Sequence, residues 1–262
     1  MPDIIKLFQN GSAQLRPSPF VEILLDVAKI AVLAWLSYLA IRRLGTHFGK
    51  QFEDRRLWLL VLLSAALMAI KVSEDVIGGE SSAVDQGLLV WLHSHTSPSL
   101  TYAASIVTIS GSWMTLLPLS VISVALLLAI QRRQEALYLA ATVMAGQLLT
   151  YVLKLAVGRA RPEIWEHDWY WGASFPSGHT LMTTCYAMAA AVCVSRLWPR
   201  SRLAAFAAAA TWVLLVATSR MVLGVHWPTD VAAAVCIGVV IATVLQVMLE
   251  RPSSIPPVYP ER

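Results

Sequence analysis

Three short stretches gather charged and polar residues in a chain that has few of them: KLAVGRARP (Lys154 to Pro162), PSGH (Pro176 to His179) and SRMVLGVHWPTD (Ser219 to Asp230). Together they supply three cations (Lys154, Arg161 and Arg220), two imidazoles (His179 and His226) and one carboxylate (Asp230). That inventory suits phosphoryl transfer. Charge spreads over three equatorial oxygens of the moving group, and fixed cations and N–H donors around it supply most of the catalysis. One imidazole attacks phosphorus if neutral, and the other protonates the leaving oxygen if charged.

Local spacing adds detail. Lys154 and Arg161 stand seven residues apart. On a helix that is two turns, which puts both cations on one face about 10 Å apart along the axis, and Pro162 predicts the helix end. Ser177 is a good N-cap; the amides of Gly178, His179 and Thr180 would then point into the space before a helix, a ready anion site. Pro228 suits a first helical turn, so His226 sits just before that helix and Asp230 just inside it.

Each feature has an ordinary alternative. A cation near a helix end snorkels to the membrane surface, Pro-Ser-Gly makes a turn, a histidine between helices is a hydrogen-bonded structural residue, and an Asp in a first turn complements the helix dipole. A metal site built from His179, His226 and Asp230 is a further competitor. Three neighbouring cations would repel a divalent ion, so no metal and no cofactor is expected. Agreement in position favours the phosphate site, and that agreement comes from the elements that carry the three stretches.

Those elements are membrane helices. Of the 262 residues, 57% are hydrophobic and 14% charged, and the mean hydropathy is +0.62, far above an ordinary soluble domain. Apolar runs long enough to cross a bilayer lie near 20–43, 57–76, 102–130, 135–157, 178–197, 203–222 and 228–249. The third run is over-long and is expected to start on the membrane surface or to bend at Pro118. The first lacks a cleavage site and reads as a retained helix.

Basic residues cluster between runs one and two (Arg42, Arg43, Lys50, Arg55, Arg56), three and four (Arg132, Arg133), and five and six (Arg196, Arg200, Arg202), whereas 77–100 has Glu80 and Asp85 and no Lys or Arg. This positive-inside pattern puts the basic loops in the cytoplasm, and the acidic loop and the N-terminus outside. The net charge of +4 is accounted for by topology, with no nucleic-acid partner. Run four ends at Arg161, run five begins at Ser177, and runs five and six cross and return to His226, so all three stretches meet at the outer face.

Other features carry less. Cys185, Cys193 and Cys236 read as buried apolar residues, and His93 and His95 as exposed loop residues. Trp165, Trp169, Tyr170 and Trp171 suit an interfacial aromatic belt better than a lid. The end, 250–262, reads as a short disordered tail, and Asn10-Gly11-Ser12 is a sequon in form only.

The three stretches resemble the three signature motifs of the type 2 phosphatidic acid phosphatase (PAP2) family, which shares its active site with vanadium haloperoxidases. The matching residues are Lys154, Arg161 and Pro162; Pro176, Ser177, Gly178 and His179; and Ser219, Arg220, His226 and Asp230. The resemblance covers roughly 57–249. It implies an all-α, polytopic membrane helical bundle with a six-helix core and one extra N-terminal transmembrane helix in 1–56. It implies a metal-independent lipid phosphatase in which His226 forms a phosphohistidine, Asp230 orients it and His179 is the general acid. Lys154, Arg161 and Arg220 would bind phosphate oxygens, with Ser177 and the Gly178 amide completing the cradle.

One departure is DVAAAV after Asp230, where the family often has a glycine, so close packing there is expected to rely on alanines. The expected substrate is a membrane lipid phosphate at the outer leaflet of the inner membrane. Undecaprenyl diphosphate leads, followed by phosphatidate, phosphatidylglycerophosphate and lipid A phosphates. Transfer of the phosphoryl group to another lipid or sugar uses the same intermediate, and anion transport ranks last because the charges cluster at one mouth. A bell-shaped pH profile is expected from one neutral and one protonated histidine.

Overall fold

The computed structural model describes residues 19–44, 56–79, 81–165 and 172–249. The expected tail, Lys50, Arg55, Asn10 and the Trp169–Trp171 group lie outside the described residues. Among those described the chain is all helical: α1 (Pro19–Leu44), α2 (Arg56–Gly78), α3 (Ser82–Ser94), α4 (Pro98–Ser110), α5 (Trp113–Ala129), α6 (Arg133–Val157), α7 (Gly178–Leu197), α8 (Arg202–Val222) and α9 (Pro228–Leu249), with a 3₁₀ turn at Pro199–Ser201.

By length and composition α6, α7, α8 and α9 can each cross a membrane, and α4 with α5 makes a fifth, bent span. The other two expected spans fall on the helices α1 and α2, which do not meet that measure of length and apolarity; within α1 the apolar part is Val27–Ala40. The protein is a multi-pass membrane protein, and its surface agrees. Met144, Leu148, Tyr151 and Leu155 recur at helical spacing along α6 and are all more than half exposed, a stripe that suits lipid and would be a liability in water.

The central helix is α7. It packs against α5, α6, α8 and α9, and 61% of its apolar window is buried, against 33–39% in α6, α8 and α9. Its small residues let neighbours approach closely. A Cβ on Gly146 of α6 would stand 2.6 Å from Cys185 Sγ, and one on Gly238 of α9 would stand 2.7 Å from Thr184 Cβ. The expected alanine packing is present, with Ala233 and Ala234 fully buried, and a glycine, Gly238, adds a close approach of α9 to α7 that leaves no room for a Cβ. Buried threonines return their hydroxyls to their own helix: Thr142 to the Tyr138 carbonyl, Thr150 to Gly146 and Thr184 to Thr180, each at 2.8 Å. Cys185 and Cys193 are buried, and all three cysteines are free thiols. The extra helix α1 packs on α2 and α3, and α2 on α9.

Three expectations need correction. The over-long third run breaks at Gly111–Ser112, with a 40° bend between α4 and α5, while Pro118 lies inside α5. Gly111 is needed there because a Cβ would come within 2.7 Å of Val216 Cγ1 and 2.8 Å of Thr183 Oγ1. Thr115 Oγ1 donates to the Ile109 carbonyl at 2.7 Å, satisfying backbone freed by the break.

Second, α6 stops at Val157, short of Pro162. Gly158 takes a left-handed conformation (φ 60°), and its N–H closes on the Lys154 carbonyl at 3.1 Å. Lys154 and Arg161 therefore do not share a helix face; Arg161 stands on the segment beyond the cap. Third, the segment expected as an acidic outer loop contains a helix, α3, and Asp85 on it is fully buried.

Candidate functional site

Four helix ends converge at one end of the bundle: the last turn of α6 (Lys154), the N-cap of α7 (Ser177), the last turn of α8 (Arg220) and the first turn of α9 (Asp230). The basic residues Arg132, Arg133, Arg196 and Arg202 lie at the opposite ends of α6, α7 and α8. Alternation of the spans thus separates the two groups, as the topology argument requires.

His226 stands in the short turn between α8 and α9 and is 2% exposed. Gly224, at φ 69°, allows the turn, and the Trp165 indole lies so close that a Cβ on Gly224 would stand 2.6 Å from it. The two ring nitrogens of His226 meet different surroundings. Nε2 lies 3.3 Å from Arg161 Nη1. Nδ1 lies 3.5 Å from Asp230 Oδ2 and 3.4 Å from the Ser174 hydroxyl. A guanidinium only donates, so the nitrogen facing it is the unprotonated one, and Nδ1 carries the proton toward the carboxylate. Burial pushes the His226 imidazole down to about 3 from its ordinary 6.5, although Asp230 pulls the other way. The ring is neutral at neutral pH.

Asp230 is held on every side. Its Oδ2 accepts from the Trp227 amide at 3.0 Å, the reach-back of a capping box, and from the Ser174 hydroxyl. Its Oδ1 accepts from Arg159 Nη1 at 2.6 Å. Its backbone carbonyl accepts from the Ser177 amide at 3.2 Å, which ties the start of α7 to the start of α9.

The cations are anchored to different elements. Arg161 donates to the Val225 carbonyl at 2.8 Å and the Gly172 carbonyl at 3.1 Å. Lys154 Nζ donates to the Ala173 carbonyl, and its Cε passes 3.9 Å from where a Gly178 Cβ would sit. Arg220 is 1% exposed and donates to Thr108 Oγ1 at 2.6 Å. His179, in the first turn of α7, is close enough to Lys154, Arg161, Arg220 and His226 to interact with all four electrostatically. The structure thus brings together Lys154, Arg161, Ser177, Gly178, His179, Arg220, His226 and Asp230. Ser177 is the N-cap residue of α7, but its hydroxyl pairs with the Thr180 hydroxyl at 3.0 Å rather than with a backbone amide.

Sequence reasoning passed over three residues at this site. Arg159 is in the first motif, two residues before Arg161, and its two Nη atoms bridge Asp230 and Asp85, each at 2.6 Å. Thr229 lies in the third motif, and its position there could have flagged it; Ser174 lies just before the second motif, with no signal of its own. His93 and His95 are exposed as expected. The His93 ring also stacks on Trp165 with centroids 4.1 Å apart, which ties Trp165 to α3. Among the described residues no three His, Cys, Asp or Glu side chains converge as metal ligands; both carboxylates at the site are engaged by Arg159.

The fold and site define a class: a helical membrane protein in which three cations and the N-terminus of α7 gather around two imidazoles. Comparison with known proteins gives that class a family. The PAP2 superfamily model matches residues 135–252. Phosphatidylglycerophosphatase B of Escherichia coli K12 is 38% identical over 80 residues, 30% of each chain. Lipid A 1-phosphatase of Rhizobium etli is 39% identical over 112 residues, 38% of this chain and 44% of that one. The chain thus matches less than half the length of these two relatives. Phosphatidylglycerophosphatase B of Bacillus subtilis is 30% identical over 196 residues, 72% of this chain and 91% of that one. The crystal structure of a transmembrane PAP2-type phosphatidylglycerolphosphate phosphatase from Bacillus subtilis superposes with a TM-score of 0.66 at 24% identity, covering 71% of this chain and 94% of that one. The protein belongs to the PAP2 superfamily.

Proposed function

We propose that this protein is an integral-membrane lipid phosphatase that removes a terminal phosphate through a phosphohistidine on His226. The observation that carries the reading is the orientation of that ring. An unprotonated Nε2 faces Arg161, and Nδ1–H faces Asp230, in a site buried enough to hold the imidazole neutral.

In the first step His226 Nε2 attacks phosphorus. The P–O bond to the lipid breaks, and His179 passes a proton to the leaving oxygen. Asp230 stabilises the positive charge left on the His226 ring. In the second step His179 takes a proton from water, whose oxygen attacks phosphorus. The P–N bond breaks, and phosphate leaves. Lys154, Arg161 and Arg220, with Ser177 and the Gly178 amide, stabilise the equatorial oxygens throughout. No metal is assigned a part, because the cations already neutralise the phosphate and both carboxylates are bound to Arg159.

The substrate sits at the outer leaflet of the inner membrane, a placement supported by the basic residues at the other ends of the same helices. The name of the Bacillus subtilis relative puts phosphatidylglycerophosphate first. Undecaprenyl diphosphate, phosphatidate and lipid A 1-phosphate complete the set. Phosphate release from each lipid by the purified protein in detergent, with and without EDTA, tests the reading. The expected result is release that EDTA leaves unchanged, that vanadate inhibits competitively and that His226→Ala abolishes. Full activity of His226→Ala would overturn it.

A further inference from the structure

Behind His226, on the Asp230 side, four residues close into a ring. Arg159 donates from Nη1 to Asp230 Oδ1 at 2.6 Å and to Thr229 Oγ1 at 2.8 Å, and from Nη2 to Asp85 Oδ2 at 2.6 Å. Asp85 in turn accepts from the Thr229 amide at 2.9 Å and from its hydroxyl at 2.6 Å. Ser81 Oγ adds a contact to Nη2 at 3.2 Å. Both carboxylates are fully buried, and the Arg159 side chain is 15% exposed. Asp85 therefore grips the residue before Asp230 by its backbone and, through Arg159, grips the Asp230 carboxylate itself.

The charges add a second role. As His226 attacks phosphorus, its ring becomes cationic and depends on negative charge beside Nδ1. Arg159 alone next to Asp230 would cancel that charge. Asp85 restores it, because two carboxylates and one guanidinium sum to a single negative charge. We propose that Asp85 and Arg159 are a positioning pair that fixes Asp230 and keeps net negative charge behind His226 during phosphoryl transfer. The inference rests on the phosphohistidine reading above. It assigns work to α3, which lies outside the three motifs and far from them in sequence.

A tie that merely pinned α3 to α9 would move the thermal midpoint of the variants and leave the kcat of the folded protein unchanged. The charge account differs. In Asp85→Asn the pair Arg159–Asp230 sums to zero. In Arg159→Met two buried carboxylates face each other uncompensated. In the double variant Asp230 stands alone with its single negative charge, as the transfer requires.

The test uses the full-length protein in detergent with phosphatidylglycerophosphate as substrate, and a thermal midpoint for each variant. Asp85→Asn is expected to lower kcat about 10- to 100-fold, the range for partners that orient a reacting group, with KM unchanged because neither residue meets the substrate. Arg159→Met is expected to lower kcat as well, and Asp85→Asn/Arg159→Met to stand above both single variants. Wild-type kcat in Asp85→Asn, a loss confined to KM, or a double variant no better than the worse single one would overturn the pair. If Asp85→Asn does not survive purification, Arg159→Lys against Arg159→Met decides: lysine keeps the charge and must retain the higher kcat at equal KM. His226→Ala runs alongside, so a failure of the phosphohistidine reading shows there, whatever the pair does.

Discussion

Arg161 Nη1 lies 3.3 Å from His226 Nε2, so a guanidinium of the first motif is already in contact with the nitrogen that would bond to phosphorus. The contact exists because α6 ends early. The left-handed cap at Gly158 turns the chain out of the helix, and Arg161 then reaches across to the Val225 carbonyl at 2.8 Å. A continuous helix to Pro162 would have kept it stacked above Lys154. Arg161→Ala should therefore cost on the order of 10²- to 10³-fold in kcat, the range for removing one oxyanion donor. Steady-state phosphate release measures it. A loss confined to KM would show that Arg161 binds ground and transition states equally.

The parts proposed for His179 and His226 differ, and the leaving group tells them apart. His179→Ala should lose on the order of 10²- to 10⁴-fold with a lipid alkoxide leaving group and much less with an aryl phosphate, whose oxygen hardly needs a proton. Equal losses on both substrates would remove His179 from the acid role.

The pH dependence follows from burial. With its pKa pushed down to about 3, His226 is neutral from pH 9 to well below pH 5 and needs no deprotonation in that range. The nucleophile contributes no acid limb near pH 6.5, so the expected bell loses that side. Activity should hold from pH 8 to 5, and an alkaline limb would report the proposed general acid, whose proton the bound phosphate must hold against Arg220, Arg161 and Lys154. An acid limb with a midpoint between 6 and 7 in kcat, which the ionisation of free substrate does not enter, would contradict a buried neutral His226.

How much of this was legible depended on whether a residue stood out against its own surroundings. Lys154, Arg161, Arg220, His179, His226 and Asp230 did, because charge is scarce in apolar runs and topology carried them to one face. Asp85 did not. An acidic residue in an outer loop reads as solvated, and its burial is decided by Arg159, 74 residues away, and by Thr229, 144 residues away. No local pattern encodes contacts of that span. Arg159 was hidden differently, as one cation in a run that already supplied two. The bend went to the wrong residue for a related reason. Proline is a visible breaker but is tolerated in membrane helices, whereas the need for glycine at 111 comes from Val216 on another helix.

Helix contact through glycine makes the last prediction, a matched pair. At Gly238 a Cβ would fall 2.7 Å from Thr184 Cβ and 3.3 Å from the Leu181 carbonyl. The second neighbour is backbone and cannot swing away, so α9 must move off α7. Gly238→Val should destabilise by about 1–3 kcal/mol, the usual cost of overpacking, and it should depress activity, because α9 carries Asp230. Gly178 looks more critical, since it opens α7 inside the second motif, yet its Cβ would meet only the Thr150 methyl, at an ordinary 3.5 Å, and Lys154 Cε at 3.9 Å. Gly178→Ala keeps the backbone amide that the proposed cradle uses, so it should hold both its thermal midpoint and its kcat. Thermal midpoints and phosphate release on the two variants check the pair together. An inactive but stable Gly178→Ala would mean that substrate needs the space of the missing methyl, and the amide cradle would have to be redrawn closer to the Cα of Gly178.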